Sequence, residues 1–258
     1  MLKDIEEHEM DKLTDLKRFI CFFYMVFKVW FLLHFIHKGK DKVHYQEKIA
    51  QMAGDLIKKM GIKVIIDNQQ KLTSWHGMLV SNHISWLEIV AIRAYLPVYY
   101  IAKIEVQNFP FLGRIAQALG SIFISRQQKT TTSFKVKQVT NSLIAGNNVV
   151  LFPEATTSDG TNILPFKVSY FQAAIDAQAA VLPIMIKYLN ANGSINTKVA
   201  YWDDINLIES VWQIAKQRDV TLHINVLEAI DSQGLNAVEC AQQAREAIVK
   251  AFRTFNVS

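Results

Sequence analysis

The sequence predicts an α/β fold: a single domain with a mixed, largely parallel sheet flanked by helices, preceded by an N-terminal membrane-inserting helical segment. Three observations predict it. From Gly61 onward, short apolar runs of strand length alternate with stretches of helical periodicity, the pattern of a sheet wound with crossover helices. At 258 residues, half of them hydrophobic, the chain is long enough for one sizeable core and too apolar for disorder. Ahead of the alternation, residues 19–36 (FICFFYMVFKVWFLLHFI) are apolar except for Lys28 and His34.

That first run sits at the short end of what crosses a bilayer core. It does not resemble a cleaved signal, because a mostly charged stretch precedes it and no small-residue cleavage site follows. Its twelve Phe, Ile, Leu and Val residues favour insertion by about 5 kcal/mol, and a central Lys28 opposes it by about 3 kcal/mol. Lys17 and Arg18 precede it and Lys38, Lys40 and Lys42 follow, so positive charge flanks both ends. That pattern suits a helix dipping into one leaflet, with Lys28 snorkelling, better than one that spans. A second helix is expected over 43–60. Ile49, Met52, Ala53, Leu56, Ile57 and Met60 recur on one stripe, and Gly61 ends it. Residues 1–60 are therefore read as a membrane-associated helical segment and 61–258 as the α/β domain.

Within the domain, strands are expected over 64–66, 78–80, 98–102, 122–125, 149–152, 181–186, 199–202 and 221–227. Helices are expected over 86–95, 111–119, 131–145, 168–177, 205–217 and 235–255. No repeat, low-complexity tract or Pro/Gly-rich linker divides the chain. The net charge of +5 and pI near 9.1 point to an anionic partner. The basic residues are scattered and carry no nucleic-acid motif, so a membrane surface fits better than nucleic acid. Cys21 and Cys240 are read as free thiols of a reducing compartment.

The stretch SNHISWLE, residues 81–88, follows an apolar strand and leads into a helical pattern. On one straight helix His83 and Glu88 would be turned about 140° apart. They meet only if His83 lies in the turn and Glu88 on the helix that follows. Ser85 supports that geometry as an N-cap, with Glu88 completing a capping box. Glu88 then has two competing tasks: capping the helix, or holding one imidazole nitrogen so that the other takes a proton from a hydroxyl.

Three further stretches bear on the choice: GSIFISR at 120–126, LFPEATTSDG at 151–160 and VLPI at 181–184. With the first block they resemble the glycerolipid acyltransferase family typified by bacterial lysophosphatidate acyltransferases. That family shows, in order, His-four residues-Asp, Gly-x-x-Phe-Ile-x-Arg, Phe-Pro-Glu-Gly-Thr and an apolar block around a proline. The resemblance runs from about Val80 to Ile184 and extends to Lys103 and to FPFLG at 109–113.

The resemblance implies transfer of a fatty acyl group from a thioester, acyl-CoA or acyl-ACP, to a lysolipid hydroxyl. His83 is the implied general base, attack is direct without an acyl-enzyme, and Glu88 in the aspartate position orients His83. Arg126 is implied to hold an anionic headgroup, by bidentate hydrogen bonding. Glu154 is implied to position acceptor hydroxyls, with Thr156 and Thr157 beside it. Lys103 and Lys167 either carry phosphate or donor charge or are plain surface lysines. No metal or other cofactor is implied. The expected partners are membrane lipids, the lysolipid acceptor and acyl-CoA or acyl carrier protein. The expected location is a bacterial inner membrane with the catalytic domain facing the cytoplasm.

Three departures qualify the resemblance. Glu88 replaces Asp, which strengthens the capping reading. Ala155 replaces glycine, which predicts an ordinary backbone there. Thr157 stands where many phosphate-acceptor members carry Arg. The third departure, with Trp86, also resembles the lyso-ornithine lipid acyltransferases. Lysophosphatidate is placed first because Arg126 is retained. The sequence lacks an HExxH or Cys/His cluster for a metallohydrolase and a Gly-x-Ser-x-Gly elbow for a serine hydrolase. The competing class is a non-catalytic membrane-bound scaffold.

Overall fold

The computed structural model describes residues 2–33, 42–124 and 132–255, leaving aside the side chains of 2–8, 42–45, 103 and 124. In chain order the elements are α1 (Leu2–Phe31), α2 (Lys42–Lys59), β1 (Ile62–Asp67), α3 (Gln69–Thr73), β2 (Met78–Ser81), α4 (Leu87–Tyr95), β3 (Tyr99–Lys103), α5 (Leu112–Ala118), β4 (Ile122–Ile124), α6 (Thr132–Ile144), β5 (Val149–Leu151), α7 (Phe171–Asp176), β6 (Val181–Leu189), α8 (Leu207–Ala215), β7 (Val220–Val226) and α9 (Ala237–Thr254). The strands form one seven-stranded sheet in the order β1-β7-β6-β2-β5-β3-β4. Among the described strands, the β6–β7 pair alone is antiparallel. This is the mixed, largely parallel sheet that the alternation predicts.

β2 and β5 bury every residue, as strands covered on both faces must. Helices α1, α2, α4 and α8 pack with one face of the sheet around Phe22, Met52, Leu79, Ile92, Ile186 and Val211. Helices α6, α7 and α9 cover the other with Val139, Phe171, Cys240 and Ile248. Asn206 and Asn236 begin α8 and α9 with complete capping boxes to Glu209 and Glu239. Both cysteines are free, Cys21 half-buried and Cys240 buried.

The N-terminal helices share the core of the sheet domain across the position 60/61. Phe22, Met25, Ile49, Leu56 and Met60 belong to the same cluster as the strand residues. Gly61 ends α2 with φ +76°, and a Cβ there would lie 2.1 Å from the Arg18 guanidinium. Arg18 in turn donates to the Ala215 and Gln217 carbonyls at the end of α8. Gly61 thus serves both the turn and the seating of α1.

The apolar run at 19–36 has two uses within α1. Phe22 and Met25 face the protein, whereas Ile20, Tyr24, Phe27 and Phe31 are exposed, with Lys28 on the same outer side. Part of the hydrophobicity that suggested insertion is therefore core. Among the described residues no helix is long and apolar enough to cross a membrane.

One expected element is absent, and two short ones were not expected. No strand forms over 199–202; a short 3-10 turn at Thr197–Val199 leads into an extended segment that crosses to the loop after β2, where the Tyr201 N–H donates to the Ile84 carbonyl at 2.8 Å. The apolar residues there pack without a neighbouring strand. The helix α3 and a 3-10 turn at Ile104–Asn108 had no periodic signal long enough to read.

Candidate active site

The loop 82–86 leaves the carboxyl end of β2, in the sheet interior, where open α/β sheets place their ligand sites. Its backbone is held on every side. The Asn82 side chain, 1% exposed, donates to the Ile186 carbonyl at 3.0 Å and accepts from the Ile186 N–H at 2.8 Å, extending the β2–β6 ladder by one side-chain rung. The Ser158 N–H donates to the His83 carbonyl at 2.9 Å, and the Glu154 carboxylate accepts from the His83 N–H at 3.4 Å. The Ile84 and Ser85 N–H groups both donate to Glu88 Oε1, at 2.6 and 2.7 Å.

The His83 side chain lies in the turn and Glu88 in the first turn of α4, as the spacing requires. Nδ1 of His83 is 2.8 Å from Glu88 Oε1, and the ring stacks on Phe152 with centroids 4.0 Å apart. Glu88 therefore bonds the loop amides and the imidazole at the same time. One oxygen receives the two loop amides and the imidazole, one donor more than its two lone-pair directions, so the three share it, and the other oxygen accepts elsewhere. The expected cap differs in detail. Trp86, not Ser85, occupies the N-cap position, and the Ser85 hydroxyl is buried without a hydrogen-bond partner.

Beside His83 opens a cavity of about 880 Å³, within the range of small-molecule sites. Phe22, Met25, Val26 and Val29 of α1 and Ile49, Met52, Ala53 and Leu56 of α2 wall it with apolar surface. His83, Arg93, Lys135, Thr156, Thr157, Lys167 and Tyr201 supply polar groups. Thus Thr156, Thr157 and Lys167 share the cavity with His83, and Lys167 is exposed at it. The Thr157 hydroxyl donates to the Tyr201 carbonyl, so that proton is committed to the backbone. Arg126 lies outside the described residues, as does the side chain of Lys103.

Glu154 is 4% exposed, and its oxygens accept from the His83 and Leu164 amides. It braces the two loops that frame the site. Burial pushes its carboxyl up to about 7, against the lowering effect of the two amides, with a smaller push from Glu88. A carboxyl whose folded pKa exceeds its unfolded one stabilises the fold at low pH, and this contribution is lost as pH rises from about 4.5 through about 7. The full effect is on the order of 3 kcal/mol. Urea unfolding at about pH 5 and about pH 8 measures it: the acid-side advantage of the wild type is expected to shrink in Glu154→Gln. An unchanged pH dependence in that variant would assign the effect elsewhere.

Ala155 corrects another expectation. It holds φ +57° rather than an ordinary conformation, so alanine stands here in a left-handed geometry that favours glycine. Its Cβ costs about 1 kcal/mol. Ala155→Gly is expected to raise the unfolding free energy by roughly that amount; a destabilised variant would show that the methyl, at the cavity wall, contributes more by packing.

Residues absent from the sequence reading also build the site. Asn82 was visible only as a neighbour of His83, and Tyr188, whose hydroxyl donates to Glu88 Oε2 at 2.6 Å, lies far along the chain.

A family model described as Acyltransferase matches residues 63–187. The chain is 36% identical over 168 residues to a 1-acyl-sn-glycerol-3-phosphate acyltransferase of Neisseria meningitidis serogroup B, covering 64% of this chain and 66% of that protein. It is 31% identical over 169 residues to a lyso-ornithine lipid O-acyltransferase of Pseudomonas aeruginosa, covering 66% of this chain and 65% of the relative. The chain thus spans just under two thirds of the length of these relatives. Its fold is similar to the crystal structure of the 1-acyl-sn-glycerophosphate acyltransferase PlsC from Thermotoga maritima, with TM-score 0.71 at 19% identity over 97% of this chain and 99% of that one. The matched segment contains His83, Glu88, Arg126 and Glu154, and over residues 63–187 this chain carries a domain of the acyltransferase family.

Proposed function

We propose that the chain is a membrane-associated O-acyltransferase that moves a fatty acyl group from an acyl thioester, acyl-CoA or acyl-ACP, to the hydroxyl of a lysolipid. The observation that carries the reading is the His83–Glu88 pair, 2.8 Å apart, at the wall of a large cavity lined by apolar residues. The apolar walls suit acyl chains, and the polar groups beside His83 suit the reacting ends.

With Nδ1 engaged by Glu88, Nε2 is the ring nitrogen left for a substrate. It takes the proton of the lysolipid hydroxyl as the oxygen attacks the thioester carbonyl carbon. The buried carboxylate stabilises the imidazolium that forms. Collapse of the tetrahedral intermediate breaks the carbon–sulfur bond and expels the thiolate, which receives the proton from Nε2. The ester forms without a bond between acyl group and protein. The pre-bonded loop supports this step because His83 needs little reorganisation to react.

The acceptor placed first is 1-acylglycerol-3-phosphate, giving phosphatidic acid for phospholipid synthesis, with Arg126, Lys103 and Lys167 as the cations for phosphate. A lyso-ornithine lipid is the second reading. It is favoured by Thr157, whose hydroxyl is bonded to Tyr201 where phosphate-acceptor members carry an arginine. For the membrane contact we assign the outer stripe of α1, Leu13, Leu16, Ile20, Tyr24, Phe27 and Phe31, together with Phe109 and Phe111. Exposed rings gathered in this way fit a one-leaflet contact, with the domain on the cytoplasmic side of a bacterial inner membrane.

A labelled acyl thioester offered to the detergent-solubilised protein with lysophosphatidate, lyso-ornithine lipid and neutral lysophospholipids in parallel tests the reading. Transfer to lysophosphatidate is expected. Transfer to lyso-ornithine lipid alone would replace the first acceptor by the second, and no transfer to any would favour the scaffold.

A further inference from the structure

The fully buried Glu88 carboxylate is held at both ends. Oε1 takes the His83 imidazole and two loop amides, while Oε2 takes the Tyr188 hydroxyl at 2.6 Å. Tyr188 comes from β6, on the face of the strand that carries Ile184 and Ile186 toward the layer containing α4, and is 1% exposed. It lies one residue beyond the segment matched by the family model, so no motif draws attention to it.

The longer side chain at position 88 makes this contact consequential. A glutamate adds a torsion to the aspartate that the family pattern carries, and its terminal torsion is broad and roughly two-fold. Rotation about its last bond moves both oxygens together, so the donors on Oε1 resist it from one side only. A donor on Oε2 resists it from the other and narrows the angle at which Oε1 meets the imidazole. Burial and the adjacent carboxylate raise the Tyr188 phenol well above its ordinary range, so it remains a donor at every working pH.

We propose that Tyr188 is a positioning residue for acyl transfer: its hydroxyl locks the Glu88 carboxylate so that Oε1 holds His83 Nδ1 and leaves Nε2 facing the acceptor hydroxyl. The kinetic part of this inference rests on the function proposed above; the spectroscopic part does not.

Tyr188→Phe in the full chain removes the hydroxyl and keeps the ring. At a temperature where melting scans show both proteins folded, kcat is expected to fall about tenfold with KM unchanged. In a Glu88→Asp background, whose shorter carboxylate cannot span from His83 to Tyr188, the same substitution is expected to cost much less, so the two losses are non-additive. Nitrogen-15 NMR of the labelled histidines, without substrate, is expected to show His83 as the Nδ1–H tautomer in the wild type and as an average of both tautomers in Tyr188→Phe. Wild-type kcat together with unchanged His83 resonances would overturn the proposal. Additive losses in the double variant would also count against it, by making Tyr188 a packing residue alone. Absence of acyl transfer in the wild type would sink the function and leave the tautomer measurement to decide the role of Tyr188.

Discussion

Replacing Glu88 by alanine is expected to remove acyl transfer and to destabilise the protein by about 4 kcal/mol. The carboxylate is fully buried and accepts from the Ile84 and Ser85 amides, the His83 ring and the Tyr188 hydroxyl. Alanine leaves the two amides and the Tyr188 hydroxyl without an acceptor among buried residues. Each unsatisfied buried donor costs about 1–3 kcal/mol, and because the donors share one acceptor their costs do not simply add. A loss of this size is a large part of the roughly 5–15 kcal/mol that holds a typical domain together. Urea unfolding checks it, and a variant within about 1 kcal/mol of the wild type would show that the loop keeps its shape without the carboxylate.

His83→Ala is expected to lose activity to a similar degree for a different reason. A positioned base contributes about 10²–10⁴-fold in rate, and the alanine variant forfeits all of it. The fold stays, because the imidazole is at the cavity wall with its side chain 17% exposed. Its loss removes the stacking on Phe152, worth about 1 kcal/mol, and one of the four donors to Glu88. The two loop amides and the Tyr188 hydroxyl still hold the carboxylate. Transfer rates and melting temperatures of both variants together separate the roles: Glu88→Ala fails in both measurements, His83→Ala in the first only. Wild-type transfer by His83→Ala would remove the base from the mechanism.

Much of this arrangement was readable along the chain. Strand-length apolar runs at β2, β5 and β6 marked a buried sheet, because strands covered on both faces carry no polar alternation. The five-residue spacing of His83 and Glu88 required a turn between them, and the turn is there. Glu88 looked divided between capping and catalysis because sequence reasoning allots one partner to one group. A carboxylate accepts several, and the fold delivers them to it. The contacts of Tyr188 and Asn82 were hidden for another reason. Each bonds a residue about a hundred positions away, across the β2–β6 pairing that places them together. Ala155 misled because a single alanine says nothing about φ; the neighbouring bonds from the Ser158 amide and the Glu154 carboxylate to the His83 loop fix the turn and impose the left-handed geometry. The apolar run of α1 overstated its membrane content, because hydropathy sums both faces of a helix and one of these faces closes the cavity.

The proposed direct attack, with His83 as the base, is tested most closely by mixing the purified protein with a thioester carrying a labelled acyl group, first without and then with the accepted lysolipid. Direct attack predicts unlabelled protein by intact mass in the first case. In the second it predicts labelled diacyl lipid forming at a rate that collapses in His83→Ala. A labelled protein that passes its acyl group to the lysolipid when it is added would contradict the account, because it would make the protein itself the first acceptor.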